Sequence, residues 1–200
     1  IYGKINKSKK KINNNELKIT NLNFYKKKFK LYEFCKGRIY TDCNTNVAYI
    51  LKNNQINNFS YQQNGDKISS VKYNSVLKIG TPKLKKKFKG KVFSLIQGAS
   101  GNNYWHWLFD LLPKIEILYV NKMINYFDYF YIPKTNNYIV DTLKIYGIKE
   151  SQLIDSQKFK HIDADKISVL ENIYLKSGDF HKQFENIPLN IIKKIRNRLI

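Results

Sequence analysis

The run at residues 101–118, GNNYWHWLFDLLPKIEIL, constrains the fold more than any other stretch of the chain. It gathers both tryptophans, one of three histidines, an aspartate and a proline into an otherwise apolar segment. On a helix, Asn103, His106, Asp110 and Lys114 stand three, four and four residues apart and share one face. Tyr104, Trp107, Leu108, Leu111, Leu112, Ile115 and Leu118 fill the other faces, so the helix is expected to be largely buried. Pro113 removes one backbone hydrogen bond and crowds the carbonyl of Phe109, which predicts a kink. A polar stripe on a buried helix is either hydrogen-bonded inside the protein or lines a cleft.

The surroundings of this helix read as alternating strands and helices. A near-continuous apolar run at 92–96 predicts a strand covered on both faces. Small residues at 98–101 turn the chain into the helix. Strands follow at 128–132, ended by Pro133, at 153–154 and within 167–175. Between the first two lies a helix at 138–146, with Ile139, Leu143 and Tyr146 on one side and Gly147 as its C-cap. A last helix opens at Asn186 with Pro188 in its first turn, and carries Ile191, Ile192, Ile195 and Leu199 on its apolar face. The series argues an α/β fold with a mostly parallel sheet and helices packed on it. No Gly, Pro or polar tail ends the last helix, so the sequence is expected to continue beyond Ile200. Ile1 is no initiator, so the start is expected to be incomplete too.

Residues 1–90 are β-rich but weakly patterned, with short strands expected within 30–35, 38–40 and 47–51 and a turn at Asn64-Gly65. Pro82 and the lysine cluster at 83–89 mark a boundary, and the first 15 or so residues read as loose. The expected organisation is therefore a β-rich, Lys-rich lead-in at 1–90 and an α/β domain at 91–200.

Composition limits the partners. Apolar residues make up 42% of the chain, enough for a core, and no run approaches the ~18–20 consecutive apolar residues of a membrane span. The net charge of +21 is concentrated in residues 1–90, which hold 21 basic and 4 acidic side chains against 15 and 11 in the remainder. Only Arg38, Arg196 and Arg198 are arginines, and no nucleic-acid motif is present, which argues against nucleic-acid readout. Lys-rich segments suffice for peripheral contact with an acidic membrane surface. Cys35 and Cys43 lack the spacing of a zinc site or a disulfide framework, so reduced thiols and a cytoplasmic setting are expected.

Several residue groups carry candidate chemistry. His106 and Asp110, one helical turn apart, suit a hydrogen bond in which the carboxylate fixes the imidazole tautomer and raises its basicity. Such a His can take a proton from a hydroxyl nucleophile; the same pair can equally be a structural hydrogen bond. Trp105 and Trp107 read as core, with a stacking platform for a sugar ring as the functional alternative. The segment GASGNN, at 98–103, is neither a dinucleotide fingerprint nor a P-loop. The D-x-D of Asp163 and Asp165 follows a polar, basic stretch rather than an apolar strand, so a solvated loop is expected there instead of a metal site. His181 is expected in a loop.

The segment NYWHWLFDLLPKI at 103–115 resembles the N-Y-x-H-W-x-x-D-x-L-P-(R/K)-hydrophobic signature of the family-61 glycosyltransferases. The order of the following elements agrees, including DTLKIYGI at 141–148, where Ile145-Tyr146 departs modestly from the family's pattern. The resemblance covers roughly 91–200. It implies an inverting, metal-independent enzyme of surface or capsular polysaccharide synthesis, with two Rossmann-like domains (the GT-B type). This chain would be the N-terminal, acceptor-side domain, with the donor domain beyond Ile200. No cofactor is implied; the partners would be a nucleotide-sugar donor and a glycan or glycolipid acceptor, in a cytoplasmic protein able to associate with a membrane. His106 and Asp110 would be catalytic, with Asp110 orienting His106 as the base or acting as the base itself. Asn103 and Trp107 would hold the acceptor. The competing reading is a non-catalytic basic α/β module bound to an anionic polymer or membrane surface.

Overall fold

The computed structural model describes residues 2–7, 17–64, 67–97, 103–173, 178–179 and 186–200. The turn expected at 98–101, the loose residues at 8–15, Gly65 and His181 lie outside the described residues.

Among the described residues, ten strands of three or more residues and three helices of nine or more frame the molecule. The N-terminal half supplies β1 (Leu17–Phe24), β2 (Lys27–Cys35), β3 (Arg38–Thr41), β4 (Asn46–Ile50), β5 (Tyr61–Asn64) and β6 (Lys67–Ser69). The second half supplies β7 (Lys86–Ser94), α1 (Leu112–Val120), β8 (Tyr129–Ile132), α2 (Asn137–Ile145), β9 (Leu153–Asp155), β10 (His161–Leu170) and α3 (Leu189–Leu199). Strands β7 to β10 are parallel in the order β9-β8-β7-β10. Beyond β10 the sheet turns antiparallel. The C-terminal half of β10 pairs with β2 and its N-terminal half with β3. From β2 the sheet continues to β1, and from β3 through β4 and β5 to β6.

Local sequence accounts for much of this. In the β3–β4 loop, Asp42 Oδ1 accepts the backbone N–H groups of Asn44, Thr45 and Asn46 at 2.8, 2.8 and 2.9 Å, a side-chain mimic of a turn. Helix α2 starts where Asn136 Oδ1 accepts the Ile139 N–H and stops where Gly147 takes φ 80°. The last helix begins at Leu189 with Pro188 as its cap, slightly later than expected from Asn186.

Two expectations need correction. The lysine cluster at 83–89 is not only a boundary, because β7 begins at Lys86 and runs through it. Phe88 packs against Tyr129 and Phe159, while Lys86, Lys87 and Lys89 stay in water. The segment at 161–165 is likewise strand rather than solvated loop, since Ile162 and Ala164 alternate into the core and draw Asp163 and Asp165 into extended chain. A bulge between Phe88 and Lys91 bends β7 at Gly90, whose φ is 108°. A Cβ there would lie 2.4 Å from Asp128 Oδ2, so the position requires glycine.

The parallel strands separate two cores. One face, with Phe93, Leu95, Phe130 and Ile132, packs against α1, α2 and α3. The other, with Val92, Tyr131, Ile154 and Ile167, packs against Phe34, Ile39, Val47 and Tyr49 of the N-terminal strands. The molecule is thus mixed α/β, with its long helices on one side and strands on the other. The expectation of a parallel sheet with helices packed on it holds for that one face.

Candidate active site

In open α/β sheets, ligands bind beyond the carboxyl ends of the strands where the strand order reverses. Here the reversal lies at β7. The next strand in sequence, β8, is on one side and the last, β10, is on the other. The chain leaving β7 carries Gln97, and the chain leaving β10 carries Glu171 and Asn172. The helical segment that follows β7 brings His106, Asp110 and Lys114 to the same end.

That segment is not one regular helix. Tyr104–His106 is an α-turn, Trp107–Leu111 a π-turn, and α1 follows with Pro113 in its first turn. Leu112 N–H donates to the carbonyl of Trp107, five residues back. The wide turn precedes Pro113, which lacks an N–H to donate and whose ring would crowd a carbonyl in a regular α-helix. The kink expected at the proline is therefore taken up as an inserted residue. Asn103 caps the start, its side-chain oxygen accepting the Trp105 N–H at 2.9 Å.

His106 and Asp110 are buried and joined, with His106 Nδ1 to Asp110 Oδ2 at 2.7 Å. Gln97 Nε2 donates to the same carboxylate oxygen at 3.0 Å. An ionised carboxylate accepts only, so against it Nδ1 is the donor, and the neutral form of such an imidazole carries its lone pair on Nε2. Lys114, only 2% exposed, donates from Nζ to Asn172 Oδ1 at 3.1 Å. Burial pulls its amine down to about 8, and the Asp110 carboxylate partly offsets that. From His106 to Lys114 the polar stripe is therefore hydrogen-bonded inside the protein, and at its Lys114 end it also borders a cavity. The cavity has a volume of about 350 Å³, with Tyr32, Tyr49, Phe59, Ile96, Lys114 and Asn172 in its wall. Ligand sites fall in this size range, and aromatic walls with a few polar groups suit a sugar ring.

The two residues expected to hold an acceptor have other duties. Asn103 is exposed but occupied as a helix cap. Trp107 is fully buried in the core and donates its indole N–H to Thr142 Oγ1 at 3.0 Å, so its ring offers no open face for stacking. Trp105 is the half-buried tryptophan, edge-on to His106 at 5.4 Å between ring centroids. Gln97 and Asn172 belong to this cluster and escaped sequence reasoning, since nothing local marks either one. Lys114 was visible as the next member of the stripe.

The remaining candidates lie elsewhere. His161 is at the far end of β10, its Nδ1 donating to Leu84 O at 3.2 Å and its Nε2 accepting from Arg38 at 3.3 Å. Burial and the Arg38 charge push its imidazole down to about 4. Asp163 pairs with Lys85 at 3.6 Å, and Asp165 accepts the Gly90 N–H at 2.8 Å. Among the described residues, no three His, Cys, Asp or Glu side chains converge as a metal site would need. Cys35 and Cys43 are free thiols. No helix among the described residues is long and apolar enough to cross a membrane. No protein-family model, no curated protein and no solved structure matches the chain.

Proposed function

We propose that this chain is the acceptor-side part of an inverting glycosyltransferase of the family-61 type. The observation that carries the reading is the buried Gln97–Asp110–His106 relay at the β7 reversal point, in which His106 and Asp110 are the H and D of the N-Y-x-H-W-x-x-D-x-L-P signature. The parallel order β9-β8-β7-β10 supports a Rossmann-like assignment, since the first four strands of a doubly wound sheet have the same order. In this mechanism Asp110 holds Nδ1–H, and His106 Nε2 accepts the proton of an acceptor hydroxyl. The acceptor oxygen forms a bond to the anomeric carbon as the bond to the nucleotide phosphate breaks. The leaving group departs from the opposite face, so one displacement inverts the centre. No metal or cofactor takes part. The donor is a nucleotide-sugar and the acceptor a glycan or glycolipid, handled at the cytoplasmic face of a membrane.

The test uses the full-length protein, with nucleotide-sugar turnover and melting temperature measured together. Loss of a general base costs about 10²–10⁴-fold in rate, and His106→Gln and Asp110→Asn are each expected in that range. A folded Asp110→Asn variant that transfers sugar at nearly the wild-type rate would overturn the mechanism.

A further inference from the structure

A concavity of about 510 Å³ lies at the opposite end of β7 and β10 from His106 and Asp110. Its wall is cationic. Lys83, Lys85 and Lys87 recur at a period of two and so present one face of an extended segment. Lys4, Lys36, Arg38 and Lys52 join them from three other parts of the chain. Seven cations thus face two carboxylates, Asp163 and Asp165, each already engaged, by Lys85 and by the Gly90 N–H respectively.

The floor of the cleft is built rather than merely charged. Arg38 is half-buried, and its guanidinium is fixed by Thr81 Oγ1 at 3.4 Å, Asn54 Oδ1 at 2.5 Å and His161 Nε2 at 3.3 Å. His161 is itself oriented by the Leu84 carbonyl. The antiparallel strand pair Tyr2–Gly3 with Thr81–Pro82 ties the segment before Lys4 to the segment before Lys83, and both lysines line the cleft from positions far apart in sequence. Gathering like charges from four segments into one concavity buries little apolar surface and costs self-repulsion, so folding alone does not favour it. A cleft lined by one sign of charge does concentrate anions.

We infer that this cleft is a second binding site, for a ligand that carries two or more phosphate groups. Lysine ammoniums are point-charge partners for phosphate, the Arg38 fork supplies a fixed donor, and the volume exceeds what a single phosphate needs. Such phosphates come either from a lipid headgroup at a membrane or from a soluble diphosphate. The site does not depend on the chemistry assigned to His106 and Asp110.

Two probes test it: inorganic pyrophosphate by calorimetry, and flotation with phosphatidylcholine vesicles containing cardiolipin. The double variant Lys85→Gln/Lys87→Gln is compared with Lys134→Gln/Lys149→Gln, which removes the same charge from exposed positions outside the cleft. At least one probe binds the wild type, the cleft variant is weaker by about tenfold or more, and the control stays within about twofold. Binding of pyrophosphate identifies a soluble source, and binding of vesicles alone identifies a membrane headgroup. Equal weakening in both variants would show net charge acting without a site, and no binding of either probe would remove the site altogether.

Discussion

His161 shows what burial costs a single residue. Its ring is 6% exposed, and both nitrogens are committed, one as donor to Leu84 O and one as acceptor from Arg38. Burial disfavours the charged ring, and a proton on Nε2 would also break the second bond and face the guanidinium, so the folded imidazole sits at about 4 instead of 6.5. A folded pKa below the unfolded one means that the unfolded chain binds the proton first as pH falls. Stability from this residue is complete above about 6.5 and lost progressively down to about 4, some 3 kcal/mol in all at 1.36 kcal/mol per unit. Urea unfolding of the wild type against His161→Gln is expected to show that extra loss over pH 6.5 to 4 and no difference in slope from pH 7 to 8. A parallel pH dependence in the two proteins would mean His161 does not titrate this way. The pairing of His106 with Asp110 was legible because four-residue spacing on a helix is a local rule. The partners of the other buried groups were not: Gln97 reaches Asp110 across the loop after β7, and Asn172 reaches Lys114 from the end of β10. Only the folded sheet brings those loops together.

At the scale of elements, α1 places two charges where a helix of its burial has no water to offer. Residues 112–118 are all buried, Lys114 and Glu116 among them. Glu116 is fully buried and answered by Arg198 of α3, with Nε to Oε2 at 2.9 Å and Nη2 to Oε1 at 3.0 Å. Tyr146 donates to Oε2 at 2.8 Å, and the guanidinium lies 4.0 Å from the centre of the Tyr119 ring. This fork clamps α3 to α1. Arg198→Met leaves the carboxylate buried without its cation and is expected to cost about 3 kcal/mol, whereas Glu116→Met/Arg198→Met recovers a substantial part of it. Chemical denaturation of the two variants decides the matter, because a double variant no more stable than the single would mean the pair is not what α3 depends on. Helix α2 and strand β8 were readable from apolar spacing, caps and the breaking Pro133. Strands β7 and β10 were only half readable, since their apolar residues alternate with lysines and aspartates that resemble a solvated loop. The π-turn was signalled only as a kink at Pro113. A proline states that the regular pattern fails but does not say how the chain accommodates it.

Across the whole molecule, the strands before residue 83 do the work that a second helix layer does in a doubly wound sheet. Val92, Tyr131, Ile154, Ile162 and Ile167 point away from the helices and are buried only because Phe34, Ile39, Val47 and Tyr49 cover them. The cover is held by main-chain bonds as well as by packing, since β10 pairs with β2 and β3 along its length. The residues expected as a lead-in at 1–90 and those expected as a domain at 91–200 therefore share one sheet and both of its cores, since Leu22, Phe24, Phe29 and Leu31 also pack on the helix side. A chain cut before Lys86 would expose a whole apolar face of that sheet, with full burial of each large side chain worth about 1.5–3 kcal/mol. Loss of five such side chains amounts to about 7–15 kcal/mol before the discount for partial burial in the unfolded chain, comparable to the ~5–15 kcal/mol by which whole domains are stable. The intact chain is expected to melt in one transition, and residues 86–200 alone are expected to show no cooperative melting and to bind a hydrophobic dye. Cooperative unfolding of 86–200 near the intact protein's melting temperature would instead make the N-terminal strands an accessory. The site at the β7 reversal point would then owe its geometry to the helices alone, although Tyr32, Tyr49 and Phe59 of the N-terminal region form one wall of its cavity.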